Sequence, residues 1–294
     1  MEGVMIRGPR HMAVAVRHPK GQIVVHAEAL SSLYTGRLRS IPLIRGVLVL
    51  WETLALGTRA LSFSSKIAFE EETDDGKAVE FPERVFWGSM ALALVFVVGV
   101  FFAGPILLAH LLERLDWPRV AVVGVETVIR LGFFILYIWL IGLMPDIRRV
   151  FQYHGAEHMT IHAYEDGRSL TPANVREYPK EHQRCGTSFL LVVIMVALVT
   201  FFLFDVFVDE GLLVRVLSRV VLVPPIAAVA YEILRFGARF RDNAAVRAMF
   251  VPNILLQKLT TKRPDDAQID VAIASFEAVL EVSGLKAATG SVRV

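Results

Sequence analysis

The residues best suited to chemistry are histidines gathered in the middle of the chain. Four of the eight histidines and the only cysteine lie within 32 residues, from His154 to Cys185. On a helix, His154 and His158 stand one turn apart on the same face, close enough for two imidazoles to bind one metal ion. His162 lies a further turn along, so the three histidines span about 12 Å at ~1.5 Å per residue. Because such a spread rarely lets all three reach one ion, we expect His182 or Cys185 to be the third ligand.

The order His154-x-x-Glu157-His158 also matches a zinc-peptidase motif in which two histidines bind zinc and the glutamate activates water. This interpretation makes Glu157 the general base of a metal-dependent hydrolase, with zinc as the expected ion and iron as the alternative. Such peptidases take a further acidic ligand from another helix. Three acidic residues of this region could supply that ligand, but none lies in a sequence that matches the peptidase pattern: Glu165, Glu177 and Glu181. A closed four-ligand site would be structural instead, and a polar helix face without metal is the third possibility.

Four apolar stretches surround this histidine loop. Crossing a membrane takes about 20 helical residues, and four stretches reach that length: 85–112, 120–144, 187–208 and 212–236. The whole chain is 54% hydrophobic with a net charge of +2, which is too apolar for a soluble globule and lacks the basic field of nucleic-acid binders. We therefore expect a mainly α, polytopic membrane helix bundle whose partner is the lipid bilayer, with no nucleic-acid partner.

The distribution of lysine and arginine predicts the orientation. Eleven basic residues precede the first stretch, six lie in the loop 145–186 and nine occur from Arg235 onward, whereas the two short connections hold two. Positive charge stays on the cytoplasmic side, so both termini and the histidine loop are expected in the cytoplasm. One cysteine allows no intrachain disulfide, which suits a reducing compartment.

Three regions follow from these patterns. Residues 1–80 are expected to hold a cytoplasmic β-hairpin, from strands at 12–17 and 22–28. They should also hold an amphipathic interface helix at 44–61, which either lies on the membrane surface or packs against the spans. Residues 85–236 form the membrane region with the loop 145–186. Residues 237–294 form a helical cytoplasmic segment, with a short amphipathic helix at 254–259 and a last helix that begins near Asp265 and packs on the hairpin or on another subunit. The residues after Ser283 are expected to be disordered.

Charged residues also occur inside the apolar stretches. Glu126 and Arg130 stand one turn apart in the second stretch, where charges are costly and usually paired. They could line a functional path or form a structural ion pair, or Glu126 could lie near the outer interface. Arg215 and Arg219 in the fourth stretch are expected to extend to the outer lipid headgroups. The proline pair at 224–225 is expected to kink or interrupt that helix.

Several stretches of the chain resemble the YqhQ-like family, a bacterial family of domains of unknown function. They are residues 2–9, 12–17, 153–158, 170–172, 184–189, 241–243 and 259–266. The resemblance runs through nearly the whole chain and implies a metal-dependent enzyme of the bacterial cytoplasmic membrane. Two departures, the absence of a Gly-Gly-Gln-Ala-Val stretch before Glu2 and Met159 in place of a frequent lysine, remove no candidate ligand.

Three functions are compatible with these features. The first is a membrane metal-dependent hydrolase at the histidine loop. The second is a non-enzymatic homo-oligomeric scaffold or assembly partner, in which the metal site is structural. The third is a channel or transporter with Glu126 and Arg130 on its path. A polar stripe through all four stretches would favour the third, and only the second stretch has one.

Overall fold

The computed structural model describes residues 2–69, 83–105, 107–108, 117–182, 186–208, 211–240 and 243–284. It begins with a three-stranded antiparallel sheet in the order β1-β2-β3. The strands are β1 (Gly3–Arg7), β2 (His11–Arg17) and β3 (Ile23–Ala29). The predicted hairpin is therefore confirmed as β2 and β3, and β1 adds a strand that the sequence pattern did not predict.

The turn between β2 and β3 has the predicted chemistry. The His18 N–H donates to the Gln22 carbonyl at 2.8 Å, and Gly21 N–H donates back to the His18 carbonyl at 2.8 Å. Gly21 has a φ of +90°, a conformation that a glycine adopts without steric cost. This tight reversal fixes the register in which Val14 lies opposite His26.

Helices make up most of the remaining described chain. They are α1 (Ser32–Thr35), α2 (Ile44–Phe69), α3 (Glu83–Val98), α4 (Arg119–Ile141), α5 (Pro145–Glu165), α6 (Pro172–Val175), α7 (Gly186–Phe207), α8 (Leu212–Val221), α9 (Val223–Arg239), α10 (Ala244–Met249), α11 (Val251–Thr260) and α12 (Asp266–Val282). A π-helical turn, Gly99–Ala103, continues α3. The mainly helical fold class is confirmed.

The sheet is the middle layer of three. Side chains alternate between the two faces of a strand, and the central strand β2 is buried on both. Ala13 and Ala15 share one hydrophobic cluster with α5 and α12. Val14 and Val16 on the other face share a second cluster with the later half of α2, through Leu56. The strands near the N-terminus and the last helix therefore form one packed unit with the middle helix α5.

The last helix starts where the sequence predicts. Asp265 accepts from the Gln268 N–H at 2.8 Å and Gln268 accepts from the Asp265 N–H at 3.0 Å, which is a capping box. Ser275 on this helix donates to the Ala13 carbonyl at 3.1 Å, so α12 packs on the sheet. The helix predicted at 254–259 is α11. Residues 285–294, for which disorder was predicted, lie outside the described residues.

Within the described ranges, four helices are long and apolar enough to cross a membrane: α2, α3, α4 and α7. The count is up to five if α8 and α9, which meet at 43°, form one bent span. The stretch 212–236 is thus two helices with a break at Leu222, and the prolines lie in the first turn of α9, so the predicted interruption is confirmed. The stretch 85–112 is α-helical to Val98, where the π-helical turn follows, and its last residues, 109–112, are not described.

Helix α2 differs from the expected interface helix by being longer, since it continues past residue 61 to Phe69. Its first half packs on α9, where a Cβ at Gly46 would lie 2.6 Å from the Ala227 carbonyl oxygen. Its second half packs on the sheet through Leu56 and Ile67. Helix α2 therefore packs against both the apolar helices and the sheet.

Candidate metal centre

Helix α5 carries most of the candidate site. Pro145 begins it at a position where the missing N–H costs nothing. One face, including Ala156, Met159 and Ala163, packs against the sheet and α12. The neighbouring face carries the histidines and meets two other segments: the chain that leads to His182, and the end of α11.

Three histidines of α5 each make a hydrogen bond to a backbone carbonyl. His154 Nδ1 lies 2.9 Å from the carbonyl oxygen of Thr260, His158 Nδ1 lies 2.7 Å from that of Lys180, and His162 Nε2 lies 2.9 Å from that of Glu181. A carbonyl oxygen only accepts, so each of these ring nitrogens must donate its hydrogen. In the neutral ring the lone pair is then on the opposite nitrogen. Metal-binding histidines are oriented by this kind of second hydrogen bond.

The three side chains with the most compact ligand geometry are His162, Glu165 and His182. One ligand atom from each lies within 4.8 Å of the other two. Ligand atoms that bind one zinc ion tetrahedrally at 2.0–2.1 Å lie about 3.4 Å apart, so small side-chain movements would bring the three to one ion. His182 is buried, whereas Glu165 is exposed to solvent, so the group opens on the Glu165 side.

The position of His182 is fixed through its backbone. Gln257 of α11, which is fully buried, accepts from the His182 N–H at 3.0 Å and donates to the His182 carbonyl at 3.0 Å. The ring Nε2 lies 3.3 Å from Glu165 Oε2. Burial, together with the nearby His162, lowers the pKa of His182 to about 4. The ring is therefore neutral at physiological pH, which is the form that binds metal.

The rings of four histidines follow one another in the order His154, His158, His182 and His162. The His158 ring centroid is 4.4 Å from that of His154 and 5.9 Å from that of His182, and the His162 and His182 rings are 4.4 Å apart. His158 is 0% exposed. Its Nε2 is buried and has no hydrogen-bond partner among the described residues. A buried polar atom without a partner costs about 1–3 kcal/mol, which is recovered if Nε2 binds a ligand.

Glu157, the predicted general base, lies beside His154. Burial raises the pKa of the Glu157 carboxyl, and the nearby His154 opposes that rise. A raised pKa makes a carboxylate a stronger base. Glu157 and the predicted ligands His154 and His158 are not members of the compact three-residue group, and Cys185 lies outside the described residues.

Glu165 and Gln257 are the site residues that the sequence patterns did not select. Glu165 follows His162 by three positions, a spacing that places both on one helix face, so the pattern contained a usable signal. Gln257 has no such signal, because its role depends on where α11 packs.

Gly155 allows α5 and the segment after α11 to approach closely. A Cβ at this position would lie 2.2 Å from the Lys262 carbonyl oxygen. The Lys262 N–H donates to the Phe151 carbonyl at 2.8 Å, and Lys180 donates to the Thr261 carbonyl at 3.0 Å. The segment that supplies the Thr260 carbonyl to His154 is therefore held against the helix at Gly155.

A second polar cluster lies among the apolar helices. Arg130 and Arg215 both donate to Glu126, which is 1% exposed. Arg219 donates to Asp205, and Arg215 Nε lies 3.4 Å from the same carboxylate. The expectation that Arg215 and Arg219 extend outward to headgroups is therefore wrong. Buried carboxylates on α4 and α7 attract these guanidinium groups inward.

The motif stretches at 153–158 and 259–266 meet where His154 contacts the Thr260 carbonyl and Gly155 approaches Lys262, and the stretch 170–172 leads into α6. Residues 41–282 match the model of a protein family of unknown function, DUF1385. This chain belongs to the DUF1385 family. It is also 34% identical over 298 residues to "Uncharacterized protein YqhQ" of Bacillus subtilis (strain 168), an alignment that covers 97% of this chain and 92% of that protein. No solved structure matches the chain. The predicted resemblance to the YqhQ-like family is confirmed.

Proposed function

We propose that this chain is an integral membrane protein that binds a divalent metal ion, zinc or iron, at the cytoplasmic end of its apolar helices and hydrolyses a substrate there. The group formed by His162, Glu165 and His182 carries the proposal. Two histidines and one carboxylate are a ligand set of catalytic zinc sites and of non-haem iron sites, both of which keep a position open.

The exposed side chains of α3 support the membrane part of the proposal. Leu92 is 71% exposed, Val95 68% and Val85 67%, and α4 adds Val128 at 70%. A continuous apolar surface of this kind is unfavourable in water and favourable in hydrocarbon. The candidate spans therefore have the surface that a bilayer requires.

The packed unit of sheet, α5 and α12 supports a specific topology. Because these elements pack together, they lie on the same side of any membrane. The chain must then cross an even number of times before α5 and again after it. Helices α3 and α4 supply the first two crossings, and α7 with the bent α8–α9 pair supplies the other two. Helix α2 adds no crossing in this topology, because its first half packs along α9 and its second half packs on the sheet.

The distribution of basic residues favours a cytoplasmic position for this unit. The topology is tested by replacing Cys185 with serine and introducing single cysteines at Ser169 and at Gly211. In intact cells an impermeant maleimide should label the Gly211→Cys variant and not the Ser169→Cys variant. Labelling of the Ser169→Cys variant in intact cells would contradict the orientation.

The residues of the site have distinct roles in the proposed hydrolysis. The bound ion would supply Lewis-acid polarisation of the substrate. His162 and His182 would hold the ion with ring nitrogens, and Glu165 would complete the set on the solvent side. The Glu181 carbonyl orients the His162 ring, and Gln257 fixes the backbone of His182. Glu157, which lies outside the ligand group, is the proposed base toward water, because burial raises its pKa and so makes its carboxylate a stronger base.

A structural metal site is the second candidate, and His158 favours it. If the buried Nε2 of His158 is a fourth ligand, the site is closed, and the ion would fasten α5 to the loop before α7. Such a site suits the homo-oligomeric scaffold or assembly partner. The number of protein ligands therefore separates the two functions.

Cobalt(II) in place of the natural ion tests this number. For a hydrolase, we expect the visible spectrum of the cobalt-loaded chain to change when azide is added, because an open position binds it. His158→Ala should keep cobalt bound. If azide leaves the spectrum unchanged and the His158→Ala variant loses cobalt, the site has the structural function. Glu157→Gln should keep the ion in either case.

A further inference from the structure

A cleft lies between the start of α2 and the end of α9, away from the candidate metal centre. It has a volume of about 870 Å³, which is in the range of sites that enclose a small ligand. The residues that line it are largely apolar, and several are exposed to the surroundings: Leu43 is 53% exposed, Phe236 51% and Met249 52%. We call it the basic cleft, because three arginines also line it: Arg45, Arg235 and Arg239.

The charges in the basic cleft do not balance. Arg45 Nε donates to Glu232 Oε1 at 2.7 Å, so these two residues neutralise each other. Neither Arg235 nor Arg239 forms a hydrogen bond or an ion pair with another residue that the structure describes. Three positive charges against one negative charge leave +2 at the rim. The Arg239 guanidinium lies 5.7 Å from the centre of the Phe240 ring, so cation and apolar wall adjoin.

The backbone at the edge of the cleft is strained. Leu43 has a φ of +67°, which is rare for a residue other than glycine. Its N–H donates to Glu232 Oε1 at 3.2 Å, so the ion pair with Arg45 also holds this conformation. The result is an exposed leucine held at the rim of the cleft. Strain of this kind concentrates at ligand sites.

We propose that the basic cleft binds one anionic phospholipid of the cytoplasmic leaflet. Its phosphate would lie between Arg235 and Arg239, and its acyl chains would lie along Leu43 and Phe236. The last turn of α9 is the cytoplasmic end of a span in the proposed topology, which is where basic pockets between helices bind anionic headgroups. This inference rests on the membrane part of the proposed function and is independent of the metal.

The test uses the full chain, purified in neutral detergent and freed of lipid. Its unfolding temperature is measured during titration with phosphatidylglycerol, phosphatidylcholine or inorganic phosphate. We expect phosphatidylglycerol alone to raise it. Arg235→Gln/Arg239→Gln should weaken apparent phosphatidylglycerol affinity at least roughly tenfold, since two basic contacts are lost. The charge-matched control Arg10→Gln/Arg168→Gln, at exposed positions of the sheet unit, should bind like the unchanged chain.

Equal phosphatidylglycerol affinity in the cleft variant and the control would overturn the proposal. An equal response to inorganic phosphate would assign the cleft to free phosphate, and an equal response to phosphatidylcholine would exclude recognition of charge. Alkaline carbonate extraction distinguishes failure of the lipid-binding proposal from failure of the proposed membrane location. A chain washed off membranes contradicts the membrane assignment, whereas a chain retained there with unaltered lipid affinity contradicts only the cleft.

Discussion

Replacing Gly155 with alanine should destabilise the protein although the position lies in the middle of α5. In a helix interior, glycine to alanine normally stabilises by about 0.5–1 kcal/mol, because alanine loses less backbone entropy. Here the new Cβ would lie 2.2 Å from the Lys262 carbonyl oxygen. Ordinary contact distances require the two to separate by about 1 Å or more.

The cost follows from what that separation disturbs. The displaced segment includes the Lys262 N–H, which donates to Phe151 at 2.8 Å, and the Thr260 carbonyl, which accepts from His154 at 2.9 Å. Overpacking costs about 1–3 kcal/mol, and each weakened hydrogen bond adds about 0.5–1.5 kcal/mol. After subtraction of the helix gain, we expect Gly155→Ala to lower the free energy of unfolding by about 2 kcal/mol.

Gly57→Ala in α2 is the matched control, because a Cβ there would meet nothing within 4 Å. It should be neutral or stabilising by up to about 1 kcal/mol. Guanidinium-induced unfolding in one detergent, followed by circular dichroism, measures both variants. If Gly155→Ala is as stable as the Gly57→Ala control, the close approach of the 260–262 segment to α5 is refuted.

Three further predictions concern other contacts. Gln257→Leu leaves the buried N–H and C=O of His182 without their present partner, so we expect the free energy of unfolding to fall by about 2–4 kcal/mol. Zinc affinity, measured by chelator competition, should fall at least about tenfold. An unchanged zinc affinity would contradict the role of Gln257 in orienting His182. Arg219→Met removes one of the two guanidinium groups beside buried Asp205. Because Arg215 remains there, the loss should be that of one charged hydrogen bond, about 1.5–3 kcal/mol of unfolding free energy, whereas a loss under about 1 kcal/mol would indicate a solvated pair. Asp265→Ala breaks the capping box of α12 and should lower the unfolding free energy by about 1 kcal/mol, with Asp265→Asn as the variant expected to retain it.

The sequence predicted those elements whose signals are local. The hairpin of β2 and β3 has a turn with glycine where the chain reverses, and α12 has its cap and its apolar spacing in one stretch. The interruption near Pro224 also follows from the chemistry of a single residue type. Strand β1 was missed because its partner β2, rather than its own short sequence, defines it.

The contacts of the site depend on parts of the chain that are distant in sequence. The spacing of His154 and His158 placed them on one helix face, but it could not show that carbonyls from Thr260 and Lys180 face those rings. The inward direction of Arg219 was also unpredictable, because it depends on the distance between α7 and α8. Local patterns indicate which residues are candidates for the site. Which of these candidates come together depends on long-range packing, which local patterns do not show.

The metal content of the purified full chain tests the central claim most directly. Elemental analysis compares the unchanged chain with His162→Ala/His182→Ala and with His18→Ala/His26→Ala, a control pair on the sheet hairpin. We predict about one zinc or iron per chain in the unchanged protein and the control, and none in the site variant. Equal metal in all three, or none in the unchanged chain after incubation with zinc and iron, would contradict the account.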